Sequence, residues 1–279
     1  MVVGLVRLLR LSNSLPASLL VLLGARLADA PLHNQRLWLA VAAMWAITAF
    51  GYVTNDLSDQ AEDRINKPDR PLPTGVITSG QARVVAILLF TCALLCSAPL
   101  GLAPFLIALL ALGLLTLYNR QLKSAAGMGN LLIAGLAAGA FLPGVVAVYG
   151  WQWVRLLNLV PAVLGLFFFV LARELLKTVE DIAGDQTVGK RTFALAWGSQ
   201  ETRYIIGGLT VLLFGTVIAL FPWWRYAWPT TTLMLIGVVL PLAWTVYSLT
   251  PQASLSQIRQ CLALLKGAYF VGLVALWLA

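Results

Sequence analysis

Residues 37–55, LWLAVAAMWAITAFGYVTN, run straight into Asp56-Leu57-Ser58-Asp59-Gln60-Ala61-Glu62-Asp63. The uncharged part is as long as the roughly 20 residues that cross a hydrocarbon core as a helix. A dense acidic run at the end of such a helix is costly near lipid, and its charges repel one another, so a cation belongs among them. The same design recurs once: the apolar stretch 154–176 leads into Glu174, Glu180, Asp181 and Asp185. With Asp56, Asp59, Glu62, Asp63 and Asp69, these residues make nine of the eleven carboxylates of the chain.

Working outward, the 279 residues are 60% hydrophobic and only 11% charged. Apolar runs of spanning length fall at 12–30, 37–55, 81–98, 101–118, 128–149, 154–176, 203–221, 227–248 and 258–278, which predicts an all-α polytopic membrane protein with nine transmembrane helices in one domain, 1–279. The Ala28-Asp29-Ala30 triplet after the first run resembles a leader cleavage site, but that run is long enough to stay as a membrane helix. Lys and Arg are retained on the cytoplasmic side of cell-membrane proteins. With the N-terminus inside, only Arg26, Arg36, Arg155 and Arg225 of the nineteen basic residues fall outside. Both acidic clusters then face the cytoplasm, beside the two longest connections, 56–80 and 177–202. The net charge of +8 follows from this topology signal and needs no nucleic acid. Cys92, Cys96 and Cys261 lie in apolar helices and read as packing residues. His33 is the single histidine and carries no assigned role.

On a continued helix Asp56, Asp59 and Asp63 share a face, and Asn55 lies one turn before Asp59. Arg173, Lys177, Asp181 and Asp185, each four apart, form a second stripe flanked by Glu174 and Glu180. Magnesium is a hard cation held by one or two carboxylates together with substrate phosphates. Without Cys or His at either cluster, zinc, copper and iron are poor fits. The cations that accompany the acids, Arg64, Lys67, Arg70, Arg120, Lys123, Lys190 and Arg191, are suited to phosphate oxygens. Acids for a metal and bases for an anion are the two halves of a magnesium-diphosphate site.

These motifs resemble the UbiA superfamily of intramembrane prenyltransferases. Asn55-Asp56-x-x-Asp59-x-x-x-Asp63 followed by Asn66-Lys67-Pro68-Asp69-Arg70-Pro71-Leu72-Pro73-Thr74-Gly75 is similar to the first signature, and Asp181-x-x-x-Asp185 followed by Gly189-Lys190-Arg191-Thr192 to the second. Tyr118, Lys123 and Gly129-Asn130 resemble the connection between the fourth and fifth helices, and Arg7 to Asn13 the N-terminal Arg-x-x-Asn motif. The resemblance implies nine helices around a central cavity, open to lipid and capped by cytoplasmic loops. It implies one magnesium on Asn55, Asp56, Asp59 and Asp63, and a second on Asp181 and Asp185. Lys123, Arg64 and Lys190 would contact diphosphate, with Asn13, Lys67, Arg70 and Lys177 in substrate binding and Tyr118 near the reacting prenyl carbon.

Within the superfamily, Ala172 through Asp185 is most similar to the digeranylgeranylglyceryl phosphate synthase branch, although Thr178 replaces the acidic residue expected in many of those relatives. That branch implies an isoprenyl diphosphate donor and a lipophilic acceptor, geranylgeranylglyceryl phosphate. An aromatic prenyltransferase of quinone, tocopherol or chlorophyll synthesis is the alternative. A transporter for a divalent cation or a phospholipid fits less well, because transporters place their binding groups near the bilayer midplane on broken helices, whereas both acidic clusters lie at helix ends.

Overall fold

The computed structural model describes residues 2–187, 189, 191–222, 228–250 and 252–279. Its helices are, in chain order, α1 (Val2–Leu9), α2 (Leu11–Leu27), α3 (Gln35–Ser58), α4 (Gln60–Asn66), α5 (Ser79–Ser97), α6 (Leu102–Arg120), α7 (Met128–Gly139), α8 (Leu142–Tyr149), α9 (Trp153–Leu157), α10 (Val160–Glu180), α11 (Ile182–Thr187), α12 (Phe193–Trp197), α13 (Ser199–Ala219), α14 (Trp228–Met234), α15 (Leu240–Ser248) and α16 (Leu255–Trp277). There is no strand among the described residues. Among the described residues six helical stretches are long and apolar enough to cross a membrane: Gln35–Ser58, Ser79–Leu100, Leu102–Arg120, Ser199–Ala219, Trp228–Ser248 and Leu255–Trp277. Two broken pairs, Val3–Leu9 with Leu11–Leu27 and Met128–Gly139 with Leu142–Tyr149, raise the number to eight. The protein is thus a multi-pass membrane protein. The remaining expected span, 154–176, falls on α10, whose C-terminal half carries Arg173, Glu174 and Lys177.

The chain forms two compact units. In the first, residues 1–123 and 140–156, α3 is central and packs against α2, α5, α6 and α8. Its buried side, Ala46, Ile47, Ala49, Phe50 and Val53, meets Ala82, Ala86, Leu89 and Ala93 of α5 and Ala108 and Leu112 of α6. Phe50 and Phe90 touch edge to face at 5.8 Å. Small residues let the backbones approach, as is usual between membrane helices. The extreme case is the crossing of α2 and α8. A Cβ on Gly24 would land on the carbonyl of Phe141, and one on Gly144 on the carbonyl of Val21.

Polar residues define the helix ends. Thr78 and Gln81 form a capping box that starts α5, with the Thr78 amide donating to Gln81 Oε1 at 2.9 Å. Two arginines tie together helix ends where the chain would otherwise leave carbonyls unpaired. Arg36 donates to the carbonyls of Ala147 (2.7 Å) and Leu100 (2.5 Å). Arg155 donates to that of Ala28 (2.6 Å) while stacking 3.9 Å over the ring of Tyr149.

In the second unit, residues 124–139 and 157–279, α10 packs against α7, α13 and α16. Leu166, Phe169, Ala172, Leu175 and Leu176 of α10 are buried, as are Ile206, Leu209 and Leu213 of α13. The expected span at 227–248 is interrupted by a π-helical turn over Leu235–Val239. Pro241 lies just beyond it and has no N–H to continue the regular ladder. Cys92, Cys96 and Cys261 lie within helices, Cys261 buried and the other two half-buried.

Candidate active site

The first acidic cluster is assembled at the C-terminal end of α3. Asn55 and Asp56 are still helical, but the helix stops at Ser58, and Asp59 takes a non-helical backbone (φ −97°, ψ 14°). The hydrogen-bond ladder is nevertheless carried across the break. The Asp59 amide donates to the Asn55 carbonyl (3.0 Å), and the Asp63 amide to that of Asp59 (2.8 Å). Four carboxylate-bearing residues are therefore buried here, with Asp56 at 3%, Asp59 at 6%, Glu62 at 9% and Asp63 at 4% exposure.

Buried carboxylates must be paired, and the same unit supplies three cations. Arg10 pairs with Asp56. Arg70 donates to Asp56 (3.2 Å) and Asp63 (2.5 Å). Lys123 pairs with Asp59 and donates to Asn55 Oδ1 at 2.8 Å, while Asn55 Nδ2 donates to Asp59 at 2.9 Å. Each cation is aimed by its own local structure. Arg10 lies between α1 and α2 with φ 46° and ψ 54°. Arg70 lies in a turn, its amide donating to the Lys67 carbonyl (3.1 Å) and its carbonyl accepting from the Thr74 amide (3.1 Å). Lys123 follows α6, whose end is fixed to α3 by a 2.8 Å hydrogen bond from Asn119 to Thr54 Oγ1.

The second cluster lies in the other unit. Arg173 (3.3 Å) and Lys177 both donate to Glu174 on α10, and Arg259 of α16 donates to Glu180 at 3.2 Å. The predicted stripe breaks at Asp181, where α10 ends (φ −90°, ψ 2°) and α11 begins. Register survives this break too, because the Asp181 amide bonds the Lys177 carbonyl and the Asp185 amide that of Asp181, each at 3.0 Å. Asp185 is buried at 8% exposure. Thr178, the departure noted in the sequence, turns its hydroxyl back to the Leu175 carbonyl at 2.7 Å.

A family model for the UbiA prenyltransferase family matches residues 15–278. The chain belongs to the UbiA prenyltransferase family. A curated relative from Sulfurisphaera tokodaii, a digeranylgeranylglyceryl phosphate synthase, is 36% identical over 210 residues, 75% of each chain. A solved structure of a digeranylgeranylglyceryl phosphate synthase has a TM-score of 0.76 at 24% identity, covering 99% of this chain and 97% of that one. A UbiA homologue from Archaeoglobus fulgidus, solved bound to GPP and Mg2+, has a TM-score of 0.70 at 18% identity over 96% of this chain and 99% of its own. These two structures are similar to the present chain in fold.

Among the residues expected to act in this UbiA member, the structure brings Asn55, Asp56, Asp59, Asp63, Arg70 and Lys123 into one network. Tyr118 is half-buried on α6, five residues before Lys123. Asn13 is half-buried in the first turn of α2, and Lys67 half-buried at the end of α4. Arg64 is exposed in the last turn of α4. Lys190 lies outside the described residues. Arg10 was not singled out as a site residue by the sequence reading. Its signal was present in the Arg7–Asn13 stretch, where Arg10 precedes Asn13 by three.

The donor chemistry of the first cluster, an amide oxygen and carboxylates without Cys or His, fits magnesium. As the side chains stand, no three Asp, Glu, His or Cys among the described residues are grouped to share one ion. The carboxylates pair instead with Arg10, Arg70 and Lys123.

Proposed function

We propose that this UbiA prenyltransferase transfers a geranylgeranyl group, or a similar isoprenoid, from its diphosphate to the free hydroxyl of geranylgeranylglyceryl phosphate. The observation that carries the reading is the network of Asn55, Asp56, Asp59 and Asp63 with Arg70 and Lys123, buried at the end of an apolar helix. Those are the groups that a metal-diphosphate requires. Support for the acceptor comes from the curated relatives named digeranylgeranylglyceryl phosphate synthase. Support for magnesium comes from the donor set and from the Archaeoglobus fulgidus homologue bound to GPP and Mg2+. In this reading the membrane domain has nine spans around a central cavity, with the acidic clusters and their cap loops on the cytoplasmic face of the cell membrane.

Asn55, Asp56, Asp59 and Asp63 would hold one magnesium, and Asp181 and Asp185 a second. When bound, magnesium supplies Lewis-acid neutralisation of the leaving diphosphate. Arg70 and Lys123 add positive charge to the diphosphate oxygens as the allylic C–O bond breaks, and Lys67, Lys177 and Lys190 are further candidates for substrate binding. Tyr118 presents its ring to the developing allylic cation, where a π face is stabilising. Asn13 orients substrate beside α2. The apolar helices keep water from the cation, which would otherwise be captured as an alcohol. The acceptor oxygen then forms the new C–O bond, and its proton leaves with the diphosphate or to solvent.

The test is product formation by purified protein in detergent with geranylgeranyl diphosphate, magnesium and each acceptor in turn. An ether product from geranylgeranylglyceryl phosphate is expected. Turnover of aromatic acids alone would remove the ether-lipid assignment, and an absence of product with every acceptor would remove the enzyme assignment for these conditions.

A further inference from the structure

We infer that Lys266 and Arg259 hold the phosphate of an anionic phospholipid against the exposed face of α16. Lys266 stands midway along the 23 residues of α16, one of the stretches long and apolar enough to span a bilayer, and it is exposed. In the six stretches of that kind every other charged residue lies within five residues of a helix end. A cation about 16 Å from either end of a span is costly unless it meets an anion or its stem carries it toward the headgroups. Lys266 has no hydrogen-bond or ion-pair partner among the described residues, so the chain itself does not supply the anion.

The helix geometry fixes where that anion sits. Arg259 comes seven residues earlier, just under two turns, so the two cations lie on one face about 10 Å apart along the axis. A helical side chain covers the turn on the N-terminal side of its own Cα. The Lys266 ammonium is thereby carried toward Arg259 across Ala263, a small exposed residue. Arg259 donates to Glu180 through Nε (3.2 Å) while its side chain stays 59% exposed, which leaves its terminal nitrogens for a second anion. Beyond Lys266 the same face turns apolar, with Phe270 and Val274 exposed. Beside the lysine a Cβ added at Gly267 would meet nothing, so the surface there is open. Cations toward the start of the helix and apolar side chains deeper in the span match a phospholipid of the leaflet that meets that start. Its phosphate lies between Arg259 and Lys266 and its acyl chains along Phe270 and Val274. A second copy of the chain is a poorer match, because no exposed carboxylate among the described residues lies in the interior of the six stretches.

The full-length protein is purified in neutral detergent and titrated with phosphatidylglycerol, with bound lipid counted by native mass spectrometry and stabilisation followed as the rise in unfolding temperature. Neither readout uses turnover, so the outcome is independent of the acceptor assigned above. Lys266→Met is expected to weaken phosphatidylglycerol binding roughly 5- to 20-fold, the effect of one cation beside a lipid phosphate, and to leave binding of zwitterionic phosphatidylcholine unchanged. Arg259→Gln should weaken it to a similar degree, and Lys266→Arg should keep most of the affinity. Arg83→Gln, which removes an exposed cation from α5, should change nothing. Lys266→Met should fold readily, since removing a charge from the middle of a span favours the inserted chain. Equal phosphatidylglycerol affinity in wild type and Lys266→Met would overturn the inference. So would weakened binding of geranylgeranylglyceryl phosphate with phosphatidylglycerol binding intact, which would give Lys266 to a substrate instead. A loss of the same size in Arg83→Gln would reduce the effect to net charge and overturn it as well.

Discussion

Removing Asp59 should separate catalysis from stability in a way that pairing with Lys123 makes measurable. Asp59→Ala deletes a buried carboxylate that accepts from Lys123 and from Asn55 Nδ2. Lys123 is not stranded by this, since it still reaches Asn55 Oδ1 at 2.8 Å and is 20% exposed. The stability cost should therefore be about 1–3 kcal/mol, the range for a lost hydrogen bond to a charged group, rather than the roughly 3–5 kcal/mol of an orphaned buried charge. Turnover should fall about 100- to 1000-fold, as when an electrostatic partner of a developing charge is removed. Lys123→Met leaves the more buried member, Asp59 at 8% side-chain exposure, with Asn55 Nδ2 but without its lysine, and should cost more stability than Asp59→Ala. In the double variant no unpaired member remains, so the two stability losses should fail to add by about 1–2 kcal/mol, while turnover stays at the level of the lower single variant. The assay is ether product from labelled geranylgeranyl diphosphate, with thermal unfolding followed on the same samples by tryptophan fluorescence. Asp59→Ala with wild-type turnover would refute the argument. So would a double variant whose turnover recovered to within about tenfold of wild type, because the pair would then be a structural ion pair only.

Arg70→Gln should reduce turnover at least about tenfold, since it deprives both Asp56 and Asp63 of a partner and the diphosphate of a cation; steady-state kinetics with geranylgeranyl diphosphate measures it. Chelation of divalent ions should abolish product formation and magnesium should restore it, whereas undiminished turnover in excess chelator would rule out metal assistance. Gly24→Ala should destabilise the protein by about 1–3 kcal/mol or more by forcing α2 off the Phe141 carbonyl, read as a lowered unfolding temperature, with Gly113→Ala, where a Cβ meets nothing, as the neutral comparison. Arg36→Ala should lower the unfolding temperature as well, by removing two charge-assisted hydrogen bonds worth roughly 1.5–3 kcal/mol each, without changing KM for either substrate.

The spans were legible because hydropathy is a property of composition over many residues, and six to eight of the nine appear as helices or broken pairs that meet the length and polarity a bilayer requires. The interruptions were less legible. The π turn before Pro241 follows from one missing N–H, but the stop at Asp59 depends on α4 turning to meet tertiary partners, which periodicity does not encode. At the site, Asn55, Asp56, Asp59 and Asp63 could be grouped from spacing, because the hydrogen-bond ladder carries helical register across the break between α3 and α4. Arg10 could not, because it reaches Asp56 across 46 positions of sequence and only the folding of α2 against α3 brings it there.

If these carboxylates hold the metal as proposed, their pairing with Arg10, Arg70 and Lys123 bears on the order in which ligands arrive. A divalent ion approaching alone must win oxygens from internal counter-ions and leave those counter-ions unsatisfied. An ion that comes with a diphosphate offers them fresh anionic partners in the same event. Metal and substrate affinities are then thermodynamically linked, each raising the other by the same factor. Resting magnesium leaves the carboxylates with their own cations, and the ionising machinery is armed by the molecule it is built to break.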